Sequence, residues 1–200
     1  MPMDIVFATN NLHKLKEIGA MLGKEFRLLG LKDLDISEEI PEDFETLEEN
    51  ASQKAWYIYN RTGKSCFADD TGLEVEALNG APGVYSARYS RMGQIIFPEM
   101  EAAEGNIRKL LMEMEGRTER EARFRTVIAL ILNKVEYQFE GIVEGEITLE
   151  SSGARGFGYD PVFRPKDYDL TFAEMDLNLK NRISHRAKAV KQLTEFLTAK

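Results

Sequence analysis

The chain has 200 residues, which fits one domain or one domain with a modest second lobe. Hydrophobic residues make up 43% of it and charged residues 30%, the balance of an ordinary soluble globular protein. No apolar stretch reaches the roughly 18 residues of a membrane span, and the net charge of −8 argues against a nucleic-acid backbone as the partner. We therefore expect one domain over residues 1–200 that acts neither at a membrane nor on nucleic acid.

The N-terminus carries no basic region followed by an apolar one, so it does not resemble a secretory signal. A single cysteine, Cys66, excludes an internal disulfide and fits a reducing compartment. The predicted location is the cytoplasm.

Strand and helix patterns alternate in the first third of the chain. The predicted elements are a strand over residues 4–9, a helix from Leu12 to near Gly23, a helix over residues 47–59 stopped by Gly63, and a short strand over residues 65–68. Both helices are predicted because apolar residues recur at three- and four-residue spacing. The short strand is expected to end at Asp69 and Asp70, with a sharp backbone turn at Gly72.

The remaining elements indicate a mixed α/β protein. They are a turn over residues 80–83, a helix over 99–114, a strand over 124–132, a turn at Asn133-Lys134, a strand over 135–139, an irregular segment over 151–165 and a closing helix from near Ser184. The two strands on either side of Asn133-Lys134 predict an antiparallel hairpin. No repeat or long linker divides the chain.

The first candidate site lies where the first strand meets the first helix. It comprises Thr9, Asn10, Asn11, Leu12, His13 and Lys14. A helix N-terminus exposes unpaired N–H groups and attracts anions, so Thr9, Asn11 and Lys14 are candidates for binding phosphate. The alternative is that Asn10 or Asn11 only caps the helix and that Lys14 is solvated.

The second candidate is the pair of adjacent carboxylates, Asp69 and Asp70. Two neighbouring carboxylates repel each other, and Mg²⁺ relieves that repulsion while binding one or two carboxylates together with phosphate oxygens and water. An ordinary turn capped by aspartate is the alternative. Glu42, which follows Pro41 in an acidic stretch, is placed within reach of the same metal.

Two further candidates lie near the C-terminus. In the glycine-rich segment 156–161, Phe157 is a candidate for stacking on a flat ligand and Asp160 for accepting a hydrogen bond. At the start of the last helix, His185 and Arg186 offer several hydrogen-bond donors, with Lys180 just upstream. The alternatives are a glycine-rich turn with Phe157 and Tyr159 in the core, and a capped helix with solvated charges.

Six ordered motifs together carry a resemblance that none carries alone. They occupy residues 9–14, 49–55, 68–73, 80–89, 156–163 and 183–186. In this order they closely resemble the XTP/dITP pyrophosphatase (inosine triphosphatase) family, over nearly the whole chain. The resemblance implies a long mixed β-sheet with flanking helices, two lobes around a central nucleotide-binding cleft, and a homodimer. It also implies Mg²⁺-dependent hydrolysis of ITP, dITP and XTP to the monophosphate and pyrophosphate.

The resemblance also implies roles for individual residues. Asp70 is the implied catalytic carboxylate and metal ligand, with Glu42 a second ligand and Asp69 in support. The implied triphosphate contacts are Thr9, Asn11, Lys14, Lys54, Thr71 and Arg88, and the implied base contacts are Phe157, Gly158, Tyr159, Asp160, Lys180, His185 and Arg186. The family more often has Ser at the position of Thr71 and Gly at that of Ala187; the hydroxyl is kept in the first case and alanine suits a helix in the second.

Two other classes of function compete with this one. A regulatory module would bind the purine without cutting it, but crowded carboxylates beside a triphosphate disfavour that hypothesis. A nucleic-acid-binding protein would use Phe157 and Tyr159 as stacking platforms, and the net charge disfavours it. Donors on Arg186, His185 and the backbone of residues 157–160 would favour a 6-oxo purine over adenine; they do not explain rejection of GTP.

Overall fold

The protein is a mixed α/β structure, as predicted. A computed structural model describes residues 2–93, 97 and 99–199. Its helices and strands are β1 (Met3–Phe7), α1 (Leu12–Met21), β2 (Phe26–Leu29), α2 (Leu47–Thr62), β3 (Cys66–Val75), β4 (Pro82–Gly83), α3 (Ala102–Glu113), β5 (Glu121–Leu132), β6 (Val135–Ile147), β7 (Phe163–Pro165), α4 (Leu177–Ile183) and α5 (His185–Thr198). None of these helices is long and apolar enough to cross a membrane.

The strands form a mixed sheet in the order β2-β1-β3-β5-β6-β7, with β4 paired to β3. β1 runs parallel to β2 and to β3, and Val6 lies opposite Cys66 in the second pairing. β4 and β7 add antiparallel pairings, to β3 and β6 respectively. The parallel pairings bring the end of β1, and so the start of α1, beside the first residues of β3.

Two compact units divide the chain. Unit 1 comprises Met1–Asp70, Thr126–Gly141 and Ser184–Lys200, and unit 2 comprises Thr71–Arg125 and Ile142–Ile183. The core of unit 1 includes Ile18, Phe67 and Leu193, and the Phe67 ring stacks on that of Phe7 with centroids 4.7 Å apart. The core of unit 2 includes Leu110 and Phe163. The single domain over residues 1–200 stays a prediction.

The strand that carries the paired carboxylates is longer than predicted. β3 continues through Asp69, Asp70 and Gly72 to Val75, so the expected strand end and sharp turn are wrong. A Cβ atom on Gly72 would lie 2.7 Å from the carbonyl oxygen of Gly83 on β4. Glycine is therefore needed there for the close approach of a neighbouring strand.

Other boundaries differ where tertiary pairing extends or creates an element. β6 runs to Ile147, and the segment expected to be irregular contains β7, because the two strands pair with each other. β2 and α4 were not predicted, β1 ends at Phe7, and α3 begins at Ala102. The first two of these elements are short, with four and seven residues, and carry little periodicity.

Several local predictions are confirmed. α2 begins at Leu47 and is terminated by Gly63 in a left-handed conformation. Asn133 and Lys134, both with positive φ, form the tight turn between β5 and β6. Ser184 caps α5, because its hydroxyl accepts a hydrogen bond from the Ala187 N–H. Neighbouring residues in the sequence were therefore sufficient to predict these three features.

We expect Gly141→Ala to destabilise the protein by more than about 2 kcal/mol. A Cβ atom at this position of β6 would lie 1.9 Å from the carbonyl oxygen of His185 and 2.7 Å from the Ala189 nitrogen, so α5 would have to move. Urea unfolding gives the comparison. Gly19→Ala is the matched control: its Cβ has no neighbour nearer than 3.8 Å, and alanine in a helix should add about 1 kcal/mol. Equal stability of both variants would contradict the packing described here.

Candidate active site

The centre of β3 places Asp69 and Asp70 inside unit 1, where both side chains are buried. Successive residues of a strand point to opposite faces. Asp69 contacts lysine and arginine side chains of α1 and α5, whereas Asp70 contacts a lysine of α2. The two carboxylates therefore have separate cationic partners and need no shared one.

Asp70 belongs to a cluster with Lys54 and Glu42. The Lys54 ammonium donates to Asp70 Oδ1 over 2.7 Å and to Glu42 Oε1 over 2.6 Å. Lys54 is 5% exposed and lies in the middle of α2, so the helix backbone fixes its position. One ammonium thus bridges two carboxylates that the sequence assigned to a metal.

The segment that carries Glu42 is held by two amide side chains of α2. Asn50 accepts a hydrogen bond from the Phe44 N–H and donates one to the Phe44 carbonyl oxygen, at 2.9 and 3.0 Å. Gln53 accepts a hydrogen bond from the Asp43 N–H and donates one to the Asp43 carboxylate. The sequence analysis gave these two residues no role, although both lie in the motif at residues 49–55.

Asp69 belongs to a second cluster, in which Asp69 and Arg186 are buried and Lys14 is half-buried. Lys14 donates to its Oδ1 atom over 2.9 Å and Arg186 to its Oδ2 atom over 3.3 Å. Arg186 also donates to Glu17 Oε2 over 2.5 Å. Glu17 was not predicted as a site residue: it is a buried acid on α1, three residues beyond Lys14, and the apolar spacing of the helix does not mark it.

Burial and neighbouring charges shift the pKa values of the two carboxyls in opposite directions. Burial raises the pKa of Asp70, and Lys54 and Lys14 only partly oppose this effect. Burial also acts to raise the pKa of Asp69, but Lys14, Arg186 and Lys54 together outweigh it and hold that pKa well below its usual range. Asp69 is thus fixed as a charge, while Asp70 is the carboxyl that more readily accepts a proton.

Burial lowers the pKa of Lys14, although Asp69 opposes the shift. Burial acts in the same direction on Lys54, but Asp70 and Glu42 reverse it, so that the pKa of Lys54 is raised. The ammonium of Lys54 is therefore held in its charged form by the two carboxylates that it contacts.

The sequence offered two roles for the junction of β1 and α1, namely helix capping and phosphate binding. Asn11 caps α1, since its side-chain oxygen accepts from the N–H groups of His13 and Lys14. The Thr9 hydroxyl accepts from the Asn11 N–H, and the Asn10 amide donates to the Glu38 carbonyl oxygen. Leu12 is exposed. Asn11 is thus a cap, and the binding of phosphate at this junction stays a prediction.

The predicted metal ligands separate into two groups. Among residues 2–93, 97 and 99–199, no three His, Cys, Asp or Glu side chains are grouped so as to hold a metal by themselves. Glu42 and Asp70 share one cation, and Asp69 has two cations of its own. One or two carboxylates are what Mg²⁺ takes from a protein when phosphate oxygens and water complete its shell, so Glu42 and Asp70 fit it.

Unit 2 brings together three of the residues assigned to the base. Lys180, only 4% exposed, donates to Asp160 Oδ2 over 2.7 Å, and its ammonium lies 5.1 Å from the centroid of the Phe157 ring. Asp160 also accepts from the Phe157 N–H. That N–H group is therefore already used within the loop, which narrows the set of donors available to a 6-oxo group.

The remaining loop residues have distinct positions. Gly158, half-buried, has a positive φ, and Tyr159 is buried with its hydroxyl donating to the Ser86 carbonyl oxygen. Burial raises the pKa of Tyr159. The core position of Tyr159 agrees with the alternative interpretation of this segment, whereas Phe157 is only half-buried.

Arg88 lies in a short helical turn, Ser86–Arg91, and its guanidinium is 5.3 Å from the centroid of the Tyr85 ring. α3 holds this turn through buried polar side chains. Asn106 accepts from the Ser90 N–H and donates to the Ser86 carbonyl oxygen, and Lys109 donates to that of Tyr89. Thr71 follows Asp70 in β3 and is half-buried. Contacts of Arg88 and Thr71 with phosphate stay predictions.

The pair at the start of α5 is buried rather than solvated. His185 is 3% and Arg186 1% exposed. Both carboxylate contacts of Arg186 are with residues of unit 1, namely Glu17 and Asp69. A solvated Arg186 is therefore excluded, and its predicted contact with the base remains to be tested.

The protein belongs to the class of mixed α/β proteins that hold a lysine between two carboxylates. Within that class, the Ham1 family model matches residues 5–196, and the chain belongs to the Ham1 family. The dITP/XTP pyrophosphatase of Flavobacterium johnsoniae is 50% identical over 197 residues, which are 98% of this chain and 99% of the relative. That of Porphyromonas gingivalis is 50% identical over 194 residues, 96% of each chain.

A solved structure supports the same assignment. A HAM1 protein from Coxiella burnetii is 37% identical, with a TM-score of 0.87 over 99% of this chain and 100% of that one. The family predicted from the six sequence motifs is thereby confirmed.

We expect Glu17→Ala to lower the free energy of unfolding by about 3 kcal/mol, because removing one partner leaves the buried Arg186 charge poorly compensated. The control is Glu195→Ala, which breaks an exposed pair with Lys191 and should cost less than about 1 kcal/mol. Chemical denaturation measures both changes. A loss at Glu17 no larger than that at Glu195 would show that Arg186 does not depend on Glu17.

Proposed function

We propose that the protein hydrolyses the non-standard purine nucleoside triphosphates ITP, dITP and XTP at the α-phosphorus, giving the monophosphate and pyrophosphate. Relatives that are 50% identical over nearly the full chain carry the name dITP/XTP pyrophosphatase. The observation that carries the proposal is the cluster of Asp70, Lys54 and Glu42, since it combines a proton acceptor with a cation that can stabilise negative charge. This hydrolysis would remove such nucleotides from the cellular pool before polymerases use them.

Mg²⁺ is proposed as the cofactor, with Glu42 and Asp70 as its protein ligands and Asp69 in support. Both carboxylates reach one Lys54 nitrogen, so they lie close enough for a single small cation to contact both. When bound, the ion would neutralise charge on the triphosphate and on the departing pyrophosphate.

The residues of unit 1 supply the remaining chemistry. Asp70 orients a water molecule and accepts its proton, a role that fits a carboxyl whose pKa is raised by burial. Lys14 and Lys54 stabilise the negative charge that grows on the leaving group. Asp69, fixed in its charged form by Lys14 and Arg186, keeps these cations in place. Positioning and electrostatics suffice for such a reaction, because the protein does little covalent work in it.

The base is proposed to lie on Phe157, with Lys180 and Asp160 beside it. The ammonium of Lys180 already sits over the ring, and Asp160 holds both the ammonium and the loop backbone. His185 and Arg186 are proposed to supply donors for a 6-oxo group. An amine at that position would leave such donors unpaired, at about 1–3 kcal/mol each.

Two broader features are also proposed. The proposed working form is a homodimer, which the resemblance of the six sequence motifs to the family implies. The cytoplasm is the proposed location, and it is supported by the single cysteine, Cys66, which is buried and whose pKa is raised to about 12 by burial, so that the thiol is kept unreactive.

Release of pyrophosphate tests the activity directly. Purified protein is incubated with ITP, dITP, XTP, ATP or GTP, with and without Mg²⁺, and pyrophosphate and monophosphate are quantified. We expect metal-dependent release from the first three. Binding of ITP without release would favour a regulatory module, and tighter binding of single-stranded nucleic acid than of ITP would favour the nucleic-acid hypothesis.

We expect Asp70→Asn to lower kcat on ITP by about 100-fold or more, since the amide neither accepts a proton nor binds a metal as well. Circular dichroism should show an unchanged fold, because Asn is nearly isosteric. Asp167→Asn, at an exposed position of unit 2, serves as the control and should keep full activity. Near-normal turnover of the Asp70 variant at saturating Mg²⁺ would rule out this residue as base and as essential ligand.

We expect Lys14→Ala to weaken binding of ITP far more than binding of inosine monophosphate, because Lys14 is assigned to the outer phosphates. Both affinities are measured by calorimetry in the Asp70→Asn background, which prevents turnover. Lys16→Ala, an exposed lysine of the same helix, controls for the lost charge. If both ligands weaken equally, Lys14 acts elsewhere, for instance only through Asp69.

A further inference from the structure

Lys54 is a buried cation of unit 1 that two carboxylates share. Its ammonium contacts Glu42 and Asp70 at 2.6 and 2.7 Å, and its side chain is 7% exposed. The backbone N–H groups of Phe44 and Asp43 donate to the side-chain oxygens of Asn50 and Gln53, and these two hydrogen bonds hold the Glu42 segment against the same helix. The protein therefore builds a site in which two carboxylates converge on one positive charge.

The position of that charge is the position that a metal would need. Mg²⁺ binds carboxylate oxygens at about 2.1 Å, a shorter distance than those that separate Lys54 from the two carboxylates. An ion bound to Glu42 and Asp70 and an ammonium bound to the same oxygens would compete for one space and would repel each other. Lysine has a flexible four-carbon stem, so the ammonium can leave while the helix stays in place.

We propose that Lys54 is the built-in counter-ion of the metal site: it neutralises Glu42 and Asp70 in the metal-free protein, and it leaves them for the triphosphate when a divalent cation binds. The inference rests on the proposed function, because it takes Glu42 and Asp70 as the metal ligands. It adds that Lys54 and the metal exclude each other at these carboxylates.

The contrast with Asp69 explains why the exchange occurs at Asp70. Asp69 has two cationic partners, Lys14 and Arg186, and the second of these is almost completely buried. Removing Lys14 from Asp69 would still leave a guanidinium there. Among the described residues, the ion pair of Asp70 is with Lys54, and that lysine is shared with the half-buried Glu42. The shared, single ammonium is the cation that a divalent ion replaces with a gain in charge.

Exchange makes binding of metal and of triphosphate cooperative. A displaced ammonium without a new partner would be a buried, unpaired charge, which is costly. A triphosphate provides that partner, so each ligand strengthens the binding of the other. Metal alone should therefore bind weakly to the wild-type protein.

The test is a titration with Mn²⁺, followed by electron paramagnetic resonance, on nucleotide-free protein. We expect Lys54→Met to bind Mn²⁺ about tenfold more tightly than wild type, in the usual range of coupling between two sites. Lys54→Arg, which keeps the charge, should stay near wild type. Lys64→Met removes one exposed positive charge of unit 1 and controls for the change in net charge.

The second measurement is the KM for ITP at saturating metal, which should rise in Lys54→Met. Exchange predicts that Lys54→Met binds the metal more tightly and the triphosphate more weakly. A substitution that only disturbs the site would weaken the binding of both ligands. Should Lys54→Met be too unstable for titration, its melting temperature must rise more on addition of Mn²⁺ than that of wild type. No larger rise would overturn the inference.

Glu42→Gln and Asp70→Asn distinguish a failure of the proposed exchange from a failure of the proposed metal site. If both weaken Mn²⁺ binding but Lys54→Met does not tighten it, the exchange is wrong and the proposed metal site stands. If neither of the carboxylate variants changes Mn²⁺ binding, the metal site itself is wrong, and the exchange falls with it.

Discussion

Two adjacent carboxylates in the middle of a buried strand are the constraint on which unit 1 depends. Asp69 and Asp70 are 2% and 7% exposed, and a buried charge is tolerated only when it is paired and hydrogen-bonded. Because strand residues alternate, one face of β3 must supply cations for Asp69 and the other for Asp70. α1 and α5 provide Lys14 and Arg186, and α2 provides Lys54. Three helices are thus tied to one strand by charge.

Such a network is an unusual way to stabilise a core. Replacing buried ion pairs by apolar side chains is often neutral or stabilising, whereas breaking one pair is costly. The cluster of Asp69, Arg186 and Glu17 therefore makes the site rigid, although apolar side chains in the same space could give an equal or larger free energy of unfolding. Asp69 also holds Lys14, the lysine that the proposed function assigns to the outer phosphates, and this contact connects the buried network to the proposed chemistry.

The Asp70 cluster differs from that of Asp69 in one respect that bears on function. Its outer member, Glu42, is half-buried and lies on an irregular segment, while its inner members lie on β3 and α2. Asn50 and Gln53 give the irregular segment the fixed position that its own backbone does not provide. The proposed site for metal and nucleotide thus lies at the edge of the buried network, beside the lysine that is proposed to move.

Local signals in the sequence predicted much of this protein. The apolar spacing of α2, the Ser184 cap of α5 and the turn at Asn133-Lys134 all depend on neighbouring residues, and the structure confirms them. The six motifs also identified the family, which the Ham1 family model confirms over residues 5–196.

Only the tertiary structure decided the rest. Aspartate is rare in strands, so nothing local predicted that β3 would continue through Asp69 and Asp70; pairing on both sides of the strand stabilises it there. Likewise Glu17 and Arg186 are 169 positions apart, and no spacing rule joins them. The sequence determined the local elements and the family, whereas the fold decided which charged side chains pair with each other, because partners distant in the chain meet only after the helices pack on the sheet.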